Sequence, residues 1–420
     1  MSSNGYISAR PDTPWKLNRA TLAGIAVALA IGSCTIVFSE PALTDVLMMA
    51  VIVGIPALGV GYFGRVALAN FGVWMAIVAL GIYATAFSTT FDTGLKHQIV
   101  TLYLVAGSFV LAAYIAADPE PRIGLILVCY VAAALLATIA AFIGYFRLLP
   151  GAYELFTNYG RARGTFKDPN VYGAAIAPAI IACFWVMLRQ PPRRALLAAA
   201  IALPLVIGLL ISFSRGAWIS VGLSTAILAS IALISSRRNT DFQRFGTFAA
   251  VGTGAIIVAL LAVMQIEQVR SLLEQRASFD QSYDSGPEGR FGGQAKARQL
   301  ILDNPMGIGT HTFRDTYHRE EPHNVYLSTF LNAGWLGGLL YIVSIAATLY
   351  VGLRQSLQRT ALQGPVLIVA ASFAGLAFEG CVIDSDHWRT FFILMGCIWG
   401  LADSGRIACD PSQRRDDTEA

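Results

Sequence analysis

Four groups of residues could do chemistry, and each falls at the end of an apolar run or in a loop joining two such ends. The first is Arg161-Ala162-Arg163-Gly164-Thr165-Phe166-Lys167-Asp168-Pro169-Asn170, where Arg161, Arg163 and Lys167 set three cations close together. Such a cluster suits a polyanion, because a guanidinium can lay two N–H donors on phosphate oxygens. Anchoring to lipid phosphate is the simpler use of the same charges. Asp168-Pro169-Asn170 is a helix start under either reading. The second group is Ser214-Arg215-Gly216, in a short turn where Arg215 taken alone could simply reach for water. The third is Arg290, with Lys296 and Arg298 behind it, which alone would be a solvated helix face. The fourth is His323-Asn324-Val325-Tyr326. A histidine at a helix start is commonly a cap or a packing residue, yet the positive end of a helix disfavours imidazolium, so His323 is placed to stay neutral and accept a proton.

Two further residues carry a weaker signal. Asp384-Ser385-Asp386 has the spacing with which paired carboxylates hold a divalent metal in sugar-nucleotide glycosyltransferases, but it lies in a short loop. Asp384 and Asp386 are therefore expected to hydrogen bond or to orient an arginine, and no metal or other cofactor is expected. His97, His311, His318 and His387 lack the helix-start position of His323 and are not assigned. No Cys/His spacing matches a zinc site and no glycine-rich phosphate loop follows a strand, which argues against ATP-driven chemistry. The net charge of +4 is spread over many loops and gives no reason to expect nucleic acid.

The elements that must position these residues are membrane helices. Of 420 residues 55% are hydrophobic and 13% charged, with a mean hydropathy of +0.58, a balance that points to lipid as the solvent. Apolar runs near the ~20 residues that cross a bilayer recur at 20–38, 42–60, 66–87, 97–116, 122–146, 169–188, 194–211, 216–235, 245–264, 324–350, 362–381 and 388–404. This predicts an all-α polytopic fold of about twelve transmembrane helices. Lys and Arg flank one side of the short loops, as at Lys16, Arg19, Arg65, Arg122, Arg193, Arg194, Arg237, Arg238, Arg354 and Arg359, whereas the other side holds Lys96, Arg215 and Arg389. Positive flanks resist translocation, so both termini are expected in the cytoplasm and the four groups outside.

The domain reading follows. Residues 1–264 hold helices 1–9 and an outside loop at 147–168; 265–323 is a helical outside loop; 324–404 holds helices 10–12; 405–420 is a polar cytoplasmic tail. Within the large loop, Gln265 to Arg276 reads as an amphipathic helix, Asp280 to Gly293 as a soft Gly/Ser/acid patch, and 293–303 as a second helix that Asn304-Pro305 ends.

Taken in order, these motifs resemble the bacterial O-antigen ligase and polymerase superfamily. The matching pieces are Arg161 to Tyr172, Ser214-Arg215-Gly216, Arg290 to Gly309 ending in Asn-Pro-Met-Gly-Ile-Gly, and His323 to Leu327 followed by Asn332-Ala333-Gly334-Trp335-Leu336-Gly337. They extend over about residues 150 to 340. The chain departs from the pattern at Gln294 to Arg298, where relatives often carry an aromatic residue. The resemblance implies transfer of a glycan from undecaprenyl diphosphate at the periplasmic face of the bacterial inner membrane. For the ligase branch the partners are undecaprenyl-diphosphate-linked O-antigen and lipid A-core oligosaccharide, within membrane lipids. It further implies a metal-independent, inverting reaction in which His323 is the base and Arg161, Arg163, Arg215 and Arg290 hold the donor diphosphate. Lys167, Asn170, Asn324, Tyr326, Asp384 and Asp386 are expected to position, and the 265–323 loop to close as a lid.

The polymerase and O-linked protein glycosyltransferase branches share the motifs. The short 147–168 loop tilts the reading towards ligase. A lipid-linked glycan transporter is the alternative of another class, and it predicts ionisable residues in mid-span that these runs nearly lack.

Overall fold

A computed structural model describes residues 18–235 and 286–407, together with positions 246, 247, 254 and 265. The chain is an all-α polytopic membrane protein. Seven helices among the described residues are long and apolar enough to cross a bilayer: α3 (Arg65–Ala86), α4 (Phe91–Ala117), α5 (Pro119–Tyr145), α7 (Pro169–Arg189), α8 (Pro192–Ile211), α9 (Arg215–Ile234) and α11 (Val325–Ser356). Shorter apolar helices are α1 (Arg19–Gly32), α2 (Leu43–Leu58) and α12 (Gln363–Glu379), and α13 (Arg389–Ile407) follows. These eleven fall on eleven of the expected spans. The expected ninth span, 245–264, the amphipathic helix from Gln265 to Arg276, most of the patch from Asp280 and the tail beyond 407 lie outside the described residues.

The helices pack in a bundle in which α4 lies against α13, α3 against α11, α9 against α12 and α7 against α8. Leu22, Leu29, Val53, Val128, Leu136 and Leu196 stay exposed on helix surfaces, the pattern of a bundle whose outside meets lipid. Helix ends meet in two layers. At one, Asp403 of α13 accepts from the amides of Val66 (3.1 Å) and Ala67 (2.9 Å), capping α3 from another helix, and Arg122 donates to Val60 O at 2.7 Å. The other layer gathers the loops that carry the sequence motifs.

Two boundaries differ from the runs in the sequence. Helix α1 stops at Gly32 rather than 38, because the strand of chain beyond it turns to the 161–168 segment: Val37 N donates to Thr165 O (2.9 Å) and Thr165 Oγ1 donates to Thr35 O. The tenth span is one 32-residue helix broken at Gly334 (φ 71°, ψ −175°). A Cβ at Gly334 would stand 2.6 Å from Pro305 O, so the turn Pro305-Met306-Gly307-Ile308-Gly309 fits there against bare backbone. Trp335 N donates to Pro305 O (2.8 Å), Ile308 N to Leu331 O (2.7 Å) and Trp335 Nε1 to Ile301 O (2.7 Å). The two glycine motifs of the sequence are thus one interlocking joint.

The loop helix α10 (Arg290–Asp303) begins three residues earlier than expected and ends at Asn304 before the proline, as anticipated. Ala297 of α10, Phe313 and Leu331 form a small core of their own, with Leu300, Ile301, Ile308, Tyr317 and Leu327 against it. Gln294 to Arg298 carry no aromatic residue, and the ring in this small core is that of Phe313.

Candidate active site

After the one-turn helix α6 (Ala152–Phe156), a hairpin of two-residue strands presents Arg161. Strands β1 (Thr157–Asn158) and β2 (Arg161–Ala162) pair antiparallel around Tyr159-Gly160, both at positive φ (50° and 71°), the geometry of the tight turn that suits strand twist. Arg161 is buried; its Nε donates to Ser212 O (2.8 Å) and one Nη to Asn170 Oδ1 (2.7 Å). The guanidinium therefore ties the hairpin to the first turn of α7 and to the α8–α9 turn. That turn is Ser212-Phe213-Ser214, and Ser214 Oγ caps α9 by accepting from Ala217 N, so Arg215 becomes the first residue of the helix. The next residue, Gly216, lies so close to α12 that a Cβ there would sit 3.0 Å from Glu379 Oε1. Arg163 turns back on its own loop, donating to Leu155 O (3.1 Å) and Lys167 O (3.3 Å).

His323 stands at the start of α11 with φ +50°, a left-handed value that costs a residue with a side chain on the order of 1 kcal/mol or more. Asn324 caps the helix through Oδ1, accepting from Tyr326 N (3.1 Å) and Leu327 N (3.2 Å), and its Nδ2 donates to Cys381 O (3.0 Å). Tyr326 OH donates to Ala377 O (2.7 Å), so Asn324 and Tyr326 both bind α11 to the end of α12. Asp384 reaches in from the α12–α13 loop: one carboxylate oxygen accepts from the His323 amide (3.0 Å) and lies 3.8 Å from Nδ1, the other accepts from Ser328 Oγ (2.6 Å). Glu320 meets the opposite ring nitrogen, Nε2, at 3.1 Å. The ring is 37% exposed and Glu320 69%, so the carboxylate that holds Nε2 is free to swing away and open that nitrogen to water. Burial, then repulsion from Asp386, pushes Asp384 up to about 6, a carboxyl that titrates near neutrality.

A cavity of about 220 Å³ lies beside this corner. Lys167 and Phe166 form one wall, and Asp384, Asp386, His387 and Arg389 another. Lys167 is paired with Glu40 at 3.2 Å, and Arg389 forks onto both oxygens of Asp45 at 2.7 Å each. The first motif group thus lines the cavity through Phe166 and Lys167, and the fourth reaches it only through Asp384, which accepts from the His323 amide. Arg290 opens α10, whose Gly293 faces His318 and whose Lys296 donates to Tyr317 O; this helix packs over the chain that leads to His323.

The structure also gathers residues that the sequence left unassigned. His97 of α4 meets Asp386 Oδ2 through Nε2 at 2.9 Å and stacks on His387 (ring centroids 3.9 Å apart). His311 lies edge-on to His97 at 5.0 Å and meets Glu321 at 3.1 Å. Burial lowers His387 to about 4, so the imidazole is neutral. Burial opposes the charge on Asp386, but His387 beside it and the hydrogen bond from His97 outweigh that and hold the carboxyl well below its usual range. Asp384 and Asp386 therefore face different partners, in keeping with hydrogen-bonding roles. Each histidine in isolation carried no signal. The clue available was topological, since the start of α4 and the α12–α13 loop belong to the same layer of ends.

No curated protein matches the chain. A family model described as O-antigen ligase matches residues 200–342, a stretch that runs from α8 to the kinked helix α11 and contains Arg215, Arg290 and His323. Together with the multi-pass helical fold, this match over about a third of the chain supports a place in the O-antigen ligase superfamily.

Proposed function

We propose that the protein is an O-antigen ligase, transferring O-antigen glycan from undecaprenyl diphosphate to lipid A-core oligosaccharide at the periplasmic face of the inner membrane. The observation that carries this reading is His323, with one ring nitrogen held by the exposed Glu320 and the other facing Asp384, which lines a cavity together with Lys167 and Arg389. In the proposed reaction Nε2 of His323 takes the proton from an acceptor hydroxyl as its oxygen attacks the anomeric carbon of the donor. The bond from that carbon to the diphosphate breaks on the opposite face, inverting the centre. Asp384, facing Nδ1, steadies the imidazolium that forms, and contributions of ~10²–10⁴-fold are typical of such a positioned base.

The leaving diphosphate gains negative charge as the bond breaks, and guanidinium donors are suited to meet it. Arg215 and Arg290, at the starts of α9 and α10, are the proposed direct contacts. Arg161 and Arg163 are proposed to hold the segment that brings Lys167 to the cavity, with Arg161 using Asn170 as its partner. Both substrates are lipid-linked and would enter sideways from the bilayer, with the loop that contains α10 closing over them.

A deletion strain of the source bacterium tests the reaction. The ligase reading expects lipopolysaccharide that stops at lipid A-core, with glycan accumulating on its carrier. Core bearing one repeat would identify a polymerase instead, and an unchanged ladder would overturn both.

A further inference from the structure

The cluster around His97 has a composition of its own. One carboxylate and two imidazoles, from two elements far apart in sequence, set their donor atoms within 4.8 Å of one another. His97 Nε2 and Asp386 Oδ2 are already 2.9 Å apart, and His387 Nε2 lies 2.9 Å from Thr101 Oγ1, which fixes the ring. Nitrogen and oxygen ligands at ~2.0–2.2 Å from zinc stand about 3.4 Å apart in a tetrahedron, so small side-chain rotations would close these donors on one ion. His311 flanks the group, its ring fixed by Glu321, the kind of carboxylate partner that orients imidazoles around metals. Asp386 and His387 also line the 220 Å³ cavity, which gives an ion a way in and leaves room for a water ligand.

We propose that His97, Asp386 and His387 form a binding site for a divalent transition-metal cation of the zinc class, with a cavity water in the remaining position. Two imidazoles favour zinc, cobalt, nickel or copper over magnesium and calcium, which prefer oxygen donors. The sequence alone gave no reason to expect a metal, because the ligands join only in the fold. The ion takes no part in glycan transfer. It fastens the 381–388 loop to α4 and thereby fixes Asp384, two residues before Asp386, where it holds the amide of His323.

The site can be tested without either substrate. Full-length protein, purified in detergent without a histidine tag and stripped with chelator, is titrated with Co²⁺ and followed by visible absorption. The expected result is one equivalent of bound Co²⁺ with a d–d spectrum of low coordination number, displaced by Zn²⁺ but not by excess Mg²⁺. His97→Gln, Asp386→Asn and His387→Gln should each weaken binding by about tenfold or more, while His318→Gln leaves it unchanged. His97→Cys keeps a ligand in place and should add a thiolate-to-cobalt charge-transfer band. Absence of Co²⁺ binding by the wild-type chain, binding that survives all three substitutions, or a His97→Cys complex without that band would overturn the proposal. None of these outcomes bears on the transferase reading, which is tested by glycan products.

Discussion

His323 combines three properties that a proton acceptor at a membrane surface needs: a fixed backbone, a half-buried carboxylate facing one nitrogen and an exposed, displaceable one at the other. Its neighbours make different demands. His387 is held neutral by its partly buried setting, with its pKa lowered from 6.5 to about 4. The unfolded chain takes up this proton near pH 6.5 and the folded chain only near pH 4, so stability falls as pH drops through that window. In chelator-stripped protein, His387→Gln should therefore lose less thermal stability than wild type between pH 7 and pH 5, measured by unfolding in detergent; an equal loss would mean that His387 is not held neutral. At Arg215 the expectation concerns rate. Arg215→Ala should lower transfer by about 10²–10³-fold with little change in melting temperature, the scale of losing one preorganised donor to a developing anion. His323 was legible in the sequence because it precedes an apolar run directly. The His97, His311 and His387 cluster was not, because no local pattern links α4 to the α12–α13 loop.

At the scale of elements, the site depends on a joint rather than on any single helix. The turn at Pro305–Gly309 docks into the break in α11 at Gly334, and the chain beyond it is pinned by hydroxyls: Thr90 Oγ1 donates to Thr310 O (2.7 Å) and Gln98 Nε2 to Thr310 Oγ1 (2.9 Å). This fixes where the following loop carries His311 and then His323. Gly334→Ala adds a Cβ against Pro305 O at a positive φ, and should destabilise the fold by about 1–3 kcal/mol or more and reduce transfer with it. Thermal unfolding of that variant in detergent checks this, and an unchanged melting temperature would show that the joint is not structural. Helix positions were readable from the lengths of the apolar runs, and the end of α10 from Asn304-Pro305. The kink was hidden because Gly334 sits inside one unbroken apolar stretch. The hairpin at 157–162 was hidden because strands of two residues have no periodicity to read.

At the scale of the whole molecule, the chain separates a layer of helix ends rich in structural caps, such as Asp403 on α3, from a layer that holds the motifs. The basic short loops lead to the expectation that the capping layer faces the cytoplasm. Cysteine labelling can test that in a Cys381→Ser background, which removes an exposed thiol. Tyr159→Cys, at the hairpin tip and 85% exposed, should react with a membrane-impermeant maleimide in whole cells with a permeabilised outer membrane. Leu357→Cys, between α11 and α12, should react only after the inner membrane is opened. The reverse pattern would put the site on the wrong side for a periplasmic acceptor.

The central claim is that His323 accepts the acceptor's proton during transfer from a diphosphate-linked donor. The most direct measurement is transfer by purified wild-type and His323→Ala protein, matched for thermal stability, with undecaprenyl-diphosphate-linked glycan and lipid A-core as substrates. Wild type should form the joined product, and His323→Ala should be slower by ~10²-fold or more. A well-folded His323→Ala enzyme that transfers glycan at the wild-type rate would contradict the account.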